Sequence, residues 1–113
     1  MKIEVGEYIR TKLGTIGETI KKYEKYCVIS NTRGEIDVPY ENIVKHSKNI
    51  IDLIEVGDYV NGKEIHEIDE NRKRLYSYEK DDYNIILNRE IQRVVTKEQF
   101  SNIEYRLWVK KNL

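Results

Sequence analysis

The sequence predicts a β-rich chain made of two related units, and three observations carry that expectation. The 113 residues include no alanine, yet isoleucine is abundant and there are nine tyrosines. Alanine is the best helix former, whereas β-branched and aromatic side chains suit a pleated sheet. Second, Ile3-Glu4-Val5-Gly6-Glu7-Tyr8-Ile9 returns as Ile54-Glu55-Val56-Gly57-Asp58-Tyr59-Val60, with conservative exchanges at two positions. Third, the same order of features follows each copy: a glycine-containing turn, an Ile-rich segment, a Tyr-rich hairpin candidate and a short closing strand. The closing strands are Ile43 to His46 and Ile91 to Val95. The units are therefore set at residues 1–49 and 50–113, with a short connector near 46–53.

The elements follow in order. Val5, Tyr8 and Ile9 open a strand after a bend at Gly6, and Gly14 and Gly17 supply positive-φ or close-approach positions. Tyr26-Cys27-Val28-Ile29 reads as a buried strand and Asn31-Thr32-Arg33-Gly34 as a turn. Glu35-Ile36-Asp37-Val38 alternates, with Ile36 and Val38 inward, until Pro39 ends the ladder. Ile43, Val44, Ser47, Ile50, Ile51 and Ile54 fit two readings, a strand followed by a bend or a helix from Tyr40 to Leu53. Asn61-Gly62 is the preferred pair for a type I′ hairpin. Leu75 to Tyr78 and Tyr83 to Leu87 are further strands, divided by the charged turn Glu79-Lys80-Asp81-Asp82. Thr96-Lys97-Glu98-Gln99 matches a capping box, which predicts a short helical turn near 97–102. Beyond it, Glu104 to Val109 alternates as a strand, with Tyr105, Leu107 and Val109 on one face and Trp108 opposite.

Val5-Gly6-Glu7-Tyr8-Ile9-Arg10-Thr11-Lys12-Leu13-Gly14-Thr15-Ile16-Gly17 resembles the opening of a KOW-type, SH3-like small barrel: a Gly-acidic bend, a strand, then a glycine turn. The second copy is similar but lacks the second glycine pair. The runs Ile50 to Gly62 and Ile91 to Phe100 are similar to small proteins of Firmicute phages and prophages. The resemblance implies an all-β fold of two tandem SH3-like barrels and a phage or prophage origin. It carries over no activity, because a shared fold does not give a shared function.

Composition bounds the rest. Twenty basic and twenty acidic side chains balance at zero, which argues against a strongly basic nucleic-acid coat. For 13.5 kDa, a folded surface of roughly 6,500 Å² is expected, enough burial for a core without disulfides. A single cysteine, Cys27, excludes an internal disulfide and fits a reducing, cytoplasmic setting in a bacterial host. No apolar run reaches the roughly 18 residues of a membrane span.

Chemistry finds little footing. Cys27 sits in a predicted strand, where a buried thiol behaves as a small hydrophobe. His46 and His66 lack metal-ligand spacing, and Gly14-x-x-Gly17 lacks the Lys-Ser or Lys-Thr of a phosphate loop. The expectation is a non-catalytic protein with no cofactor and no metal. Tyr23, Arg72, Lys73, Arg74, Tyr76, Tyr78 and Trp108 are the expected partner contacts, since tyrosine, tryptophan and arginine are enriched at contact surfaces. The partner expected is a host protein, in one concrete form a nuclease-based defence effector inhibited in anti-CRISPR fashion. A homodimer through open strand edges and an RNA- or DNA-binding module remain alternatives.

Overall fold

The computed structural model describes residues 2–79, 82–86 and 90–112. The chain is strand-rich, with antiparallel sheets and one C-terminal helix. β1 (Tyr8–Thr11), β2 (Ile16–Lys22), β3 (Tyr26–Asn31), β4 (Gly34–Pro39) and β5 (Ile43–Ser47) form one sheet in the order β4-β3-β2-β1-β5. β6 (Tyr59–Val60), β7 (Lys63–Glu64) and β11 (Val94–Val95) form a second, ordered β11-β6-β7. β8 (Glu67–Asp69), β9 (Arg74–Glu79) and β10 (Asp82–Ile86) form a third, ordered β10-β9-β8. Among the described residues none of these sheets closes on itself.

The two heptapeptide copies make the same local structure, bond for bond. Gly6 and Gly57 take φ values of 98° and 97°, a region open to glycine at little cost. The Glu7 amide donates to the Glu4 carbonyl and the Asp58 amide to that of Glu55, at 3.1 and 3.0 Å. In return the Glu7 carboxylate accepts the Glu4 amide at 2.6 Å, and that of Asp58 accepts the Glu55 amide at 2.9 Å. Gly6 donates to Thr19 as Gly57 does to Ile65, and Thr19 and Ile65 donate back to Glu7 and Asp58. Ile3, Ile9, Ile54 and Val60 are buried, while Val5 and Val56 are exposed. The strand after each turn is flanked alike: β1 lies between β2 and β5, and β6 between β7 and β11.

Two apolar clusters result. Ile3, Ile9, Cys27, Ile29, Val38 and Ile43 form the first. Ile50, Ile51, Leu53, Ile54, Val60, Ile65, Leu75, Ile86, Ile91 and Val94 form the second, joined by Ile16 from the first sheet. Ile16 enters because the β1–β2 turn docks on β11: Gly14 accepts the Val94 amide at 2.7 Å, and Thr15 bridges to Arg93.

The connector resolves as strand plus bend. β5 runs to Ser47, and a 3₁₀ turn over Ile50–Leu53 then tucks Ile50, Ile51 and Leu53 inward, so the apolar stripe is spent without a long helix. Asn61 (φ 51°) and Gly62 (φ 86°) make the expected tight turn between β6 and β7. The turn at Lys80 and Asp81, and Leu87, lie outside the described residues. Ile36 departs from expectation, because β4 is an outer strand and leaves it 37% exposed while Val38 is buried.

The C-terminal segment differs most. Residues expected as a strand from Glu104 to Val109 continue the capped turn as α1 (Lys97–Asn112). The capping box forms reciprocally: the Gln99 amide donates to Thr96 Oγ1 at 3.1 Å and the Thr96 amide to Gln99 Oε1 at 2.9 Å. Glu98 in the first turn and Lys110 and Lys111 in the last suit the helix dipole. Phe100 and Ile103 are half-buried; Tyr105, Leu107 and Trp108 are exposed. This helix, standing on the body by its first turns, fits a surface of 7918 Å², above the roughly 6,500 Å² expected for the mass. No described helix is long and apolar enough to cross a membrane.

Candidate functional site

The residues expected at a partner surface fall on three elements. Arg72, Lys73, Arg74, Tyr76 and Tyr78 share the β8–β9 hairpin, Tyr23 lies at the β2–β3 turn, and Trp108 lies on α1.

On the hairpin, one of the three cations, Arg72, has an acidic neighbour in the ion pairs among the described residues. Arg72 lies 3.9 Å from Asp69 and its amide caps the Asp69 carboxylate at 3.1 Å. The Tyr78 hydroxyl donates to Glu67 at 2.9 Å, which raises its pKa. His66 packs edge-on against Tyr78 and lies 3.3 Å from Glu64, and its Nδ1 accepts the Tyr78 amide. Lys73 takes φ 52° and turns toward Tyr8, Lys48 and the connector, where they line a cavity of about 170 Å³. Tyr76 is 5% exposed and belongs to the interior, so the pair Tyr76 and Tyr78 does not form one open aromatic face.

The β2–β3 turn holds a more built arrangement. Tyr23 and Tyr26 flank Glu24-Lys25, with the Tyr23 amide donating to the Tyr26 carbonyl at 2.8 Å. Cross-strand neighbours on a tight turn stack readily, and these rings lie 4.8 Å apart at 22°. Pro39 ends β4 opposite Tyr26, and the 3₁₀ turn Tyr40–Asn42 begins immediately after it. That turn swings Tyr40 back so that its hydroxyl donates to the Tyr23 carbonyl, while its amide donates to Lys25. Tyr26, Pro39 and Tyr40, with Lys25, Asp37 and Glu41, line a concave site of about 600 Å³. From this cluster the sequence reading singles out Tyr23 as a contact residue. It missed Pro39 and Tyr40, whose place depends on a hydrogen bond across 17 residues.

The groups that could support chemistry are otherwise engaged. Cys27 is fully buried, and burial pushes its thiol pKa up, away from the reactive thiolate. His46 Nδ1 lies 3.1 Å from Glu7. Among the described residues no group of three or more His, Cys, Asp or Glu is placed to hold a metal ion. Comparison with protein-family models, with curated proteins and with solved structures gives no match for this chain.

Proposed function

We propose that the chain is a non-catalytic protein-binding module of two tandem SH3-like units. Its contact surface is the ledge of Tyr23, Tyr26, Pro39 and Tyr40. The observation that carries this reading is the locking of that ledge: two stacked rings, with a third tied to the same turn by its hydroxyl. Aromatic groups already held in place lose little conformational freedom on binding, and such groups dominate the energetics of protein contacts. Support for the paired units comes from the matching hydrogen bonds of the two heptapeptides and from the like flanking of β1 and β6. Tyr78 and Trp108, 43% and 60% exposed, are further exposed aromatic side chains, on elements apart from the ledge.

In its most concrete form the module is a phage or prophage accessory factor that covers a functional surface of a host defence nuclease. A nucleic-acid role is less favoured because the basic hairpin carries its own acids, Glu64, Glu67 and Asp69. The deciding experiment is affinity capture from a nuclease-treated bacterial lysate with the full chain and with Tyr23→Ala and Tyr40→Phe. A protein retained by the first and lost with the variants supports the module. A salt-sensitive oligonucleotide complex in its place overturns it.

A further inference from the structure

We propose that β4 is a docking edge, to which an extended segment of the partner, carrying basic side chains on one face and apolar ones on the other, adds as another strand. This rests on the reading of the chain as a protein-binding module. It goes further by naming how the partner enters and what chemistry it presents.

β4 is the outer strand of its sheet. Its register with β3 runs from Asn31 opposite Gly34 to Tyr26 opposite Pro39. The Tyr40 amide donates to the Lys25 carbonyl, which sets the alternation of the ladder. Val38, Ile36 and Gly34 therefore exchange bonds with β3, and Glu35 and Asp37 turn their amides and carbonyls outward. Pro39 falls at an outward position, where a missing amide removes no bond to β3. A free edge of this kind accepts a strand through main-chain hydrogen bonds.

A cavity of about 400 Å³ lies beside it, lined by the consecutive residues Ile36, Asp37, Val38 and Pro39 together with Lys12 and Leu13 of the β1–β2 turn. Successive side chains of a strand point to opposite faces, so a cavity touching four in a row runs along the edge. Leu13 is 80% exposed and Ile36 37%, which gives apolar side chains of an added strand something to cover.

Charge selects the occupant. Glu35 and Asp37 lie on one face of β4, opposite the uncharged Ser30 and Val28. Among the described residues neither carboxylate joins an ion pair. Antiparallel pairing of two copies of β4 about Ile36 would set Glu35 against Asp37 of the other copy, and like charges directly opposite destabilise a sheet. A strand with lysine or arginine at alternate positions meets the same two carboxylates favourably.

The test titrates the ¹⁵N-labelled full chain with a capped peptide, Thr-Val-Lys-Val-Lys-Val-Thr, and with its counterpart carrying Glu for Lys. The lysine peptide is expected to bind about tenfold tighter and to slow solvent exchange of the Glu35 and Asp37 amides. The double variant Glu35→Lys with Asp37→Lys, checked for folding by circular dichroism, is expected to reverse the preference. Equal binding of the two peptides, unchanged Glu35 and Asp37 amides, or a β4-mediated dimer in sedimentation would each overturn the proposal. If a captured partner depends on Tyr23 but ignores the double variant, strand addition fails and the binding module stands. If the peptides behave as expected and no protein is captured, the edge stands and the module reading fails.

Discussion

Arg10 on β1 and Asp58 in the second heptapeptide meet at 2.9 Å with side chains only 7% and 10% exposed. The same guanidinium nitrogen donates to the Leu53 carbonyl at 2.8 Å, and the same carboxylate oxygen accepts the Glu55 amide. Asp58 thus closes its own turn and receives a cation from the other half of the chain. Glu7 at the equivalent position also closes its own turn, and its second carboxylate oxygen lies 3.1 Å from His46 Nδ1 of β5, within the same half of the chain. The acidic position of the repeat is a place where local turn chemistry and long-range assembly share one carboxylate.

Removing one member of the buried pair is expected to be costly, because the other charge stays in the interior without an answer. Arg10→Met and Asp58→Asn should each lower the unfolding free energy by about 3–5 kcal/mol in urea titrations. Lys45→Ala, which removes an ion pair with Glu55 whose side chains are 39% and 74% exposed, should change it by no more than about 0.5 kcal/mol. Similar losses at the two sites would mean that Arg10 and Asp58 are solvated in the folded protein.

Gly14 should be the least replaceable glycine. A Cβ there would lie 2.5 Å from Val95 Cγ1 and 2.6 Å from the Val94 carbonyl oxygen, and φ is +93°. Gly62 also has a positive φ, +86°, but open space around it. Gly62→Ala should cost about 1–2 kcal/mol for backbone strain alone, and Gly14→Ala a further 1–3 kcal/mol, roughly, as the β1–β2 turn is pushed off β11. Equal midpoints in thermal unfolding would show that this contact is loose.

What could be read in the sequence was short-range. Asn61-Gly62 and the bends at Gly6 and Gly57 need φ values that few residues tolerate, so residue type alone locates them. Thr96 and Gln99 announce a helix start because each side chain serves an amide three residues away. The length of that helix was not readable, since Tyr105, Leu107 and Val109 satisfy a period of two and Phe100, Ile103 and Leu107 a longer one. Burial of Tyr76 beside exposed Tyr78 depends on where β9 leaves the interior. The Tyr40–Tyr23 and Arg10–Asp58 contacts span 17 and 48 residues, and no local rule connects them.

Glu7 should give the chain an acid-sensitive step. The Glu4 amide and then His46 hold its carboxyl below the usual carboxylate pKa. A group whose pKa is depressed on folding stabilises fully above its unfolded value, about 4.3, and loses that contribution as pH falls toward the folded value. Glu7→Gln, which keeps an acceptor for the Glu4 amide, should therefore flatten the fall of stability below about pH 4.3. Unfolding midpoints from pH 7 to pH 3 that remain parallel in the two proteins would exclude this role.

The helix should be held by its first turn and by one ring contact. Thr96 and Gln99 cap each other, Gln99 also donates to the Lys12 carbonyl at 2.8 Å, and Phe100 stacks on Tyr59 at 4.1 Å and 6°. Thr96→Ala removes a cap worth about 1 kcal/mol and should reduce helical ellipticity. Phe100→Ala should free the helix from the body while sparing the sheets, because no residue of α1 is fully buried. The readout is amide exchange: residues 97–112 should lose protection in Phe100→Ala while Ile9 and Ile29 keep theirs. A uniform loss across the chain would mean that α1 is coupled to the interior through more than this single stack.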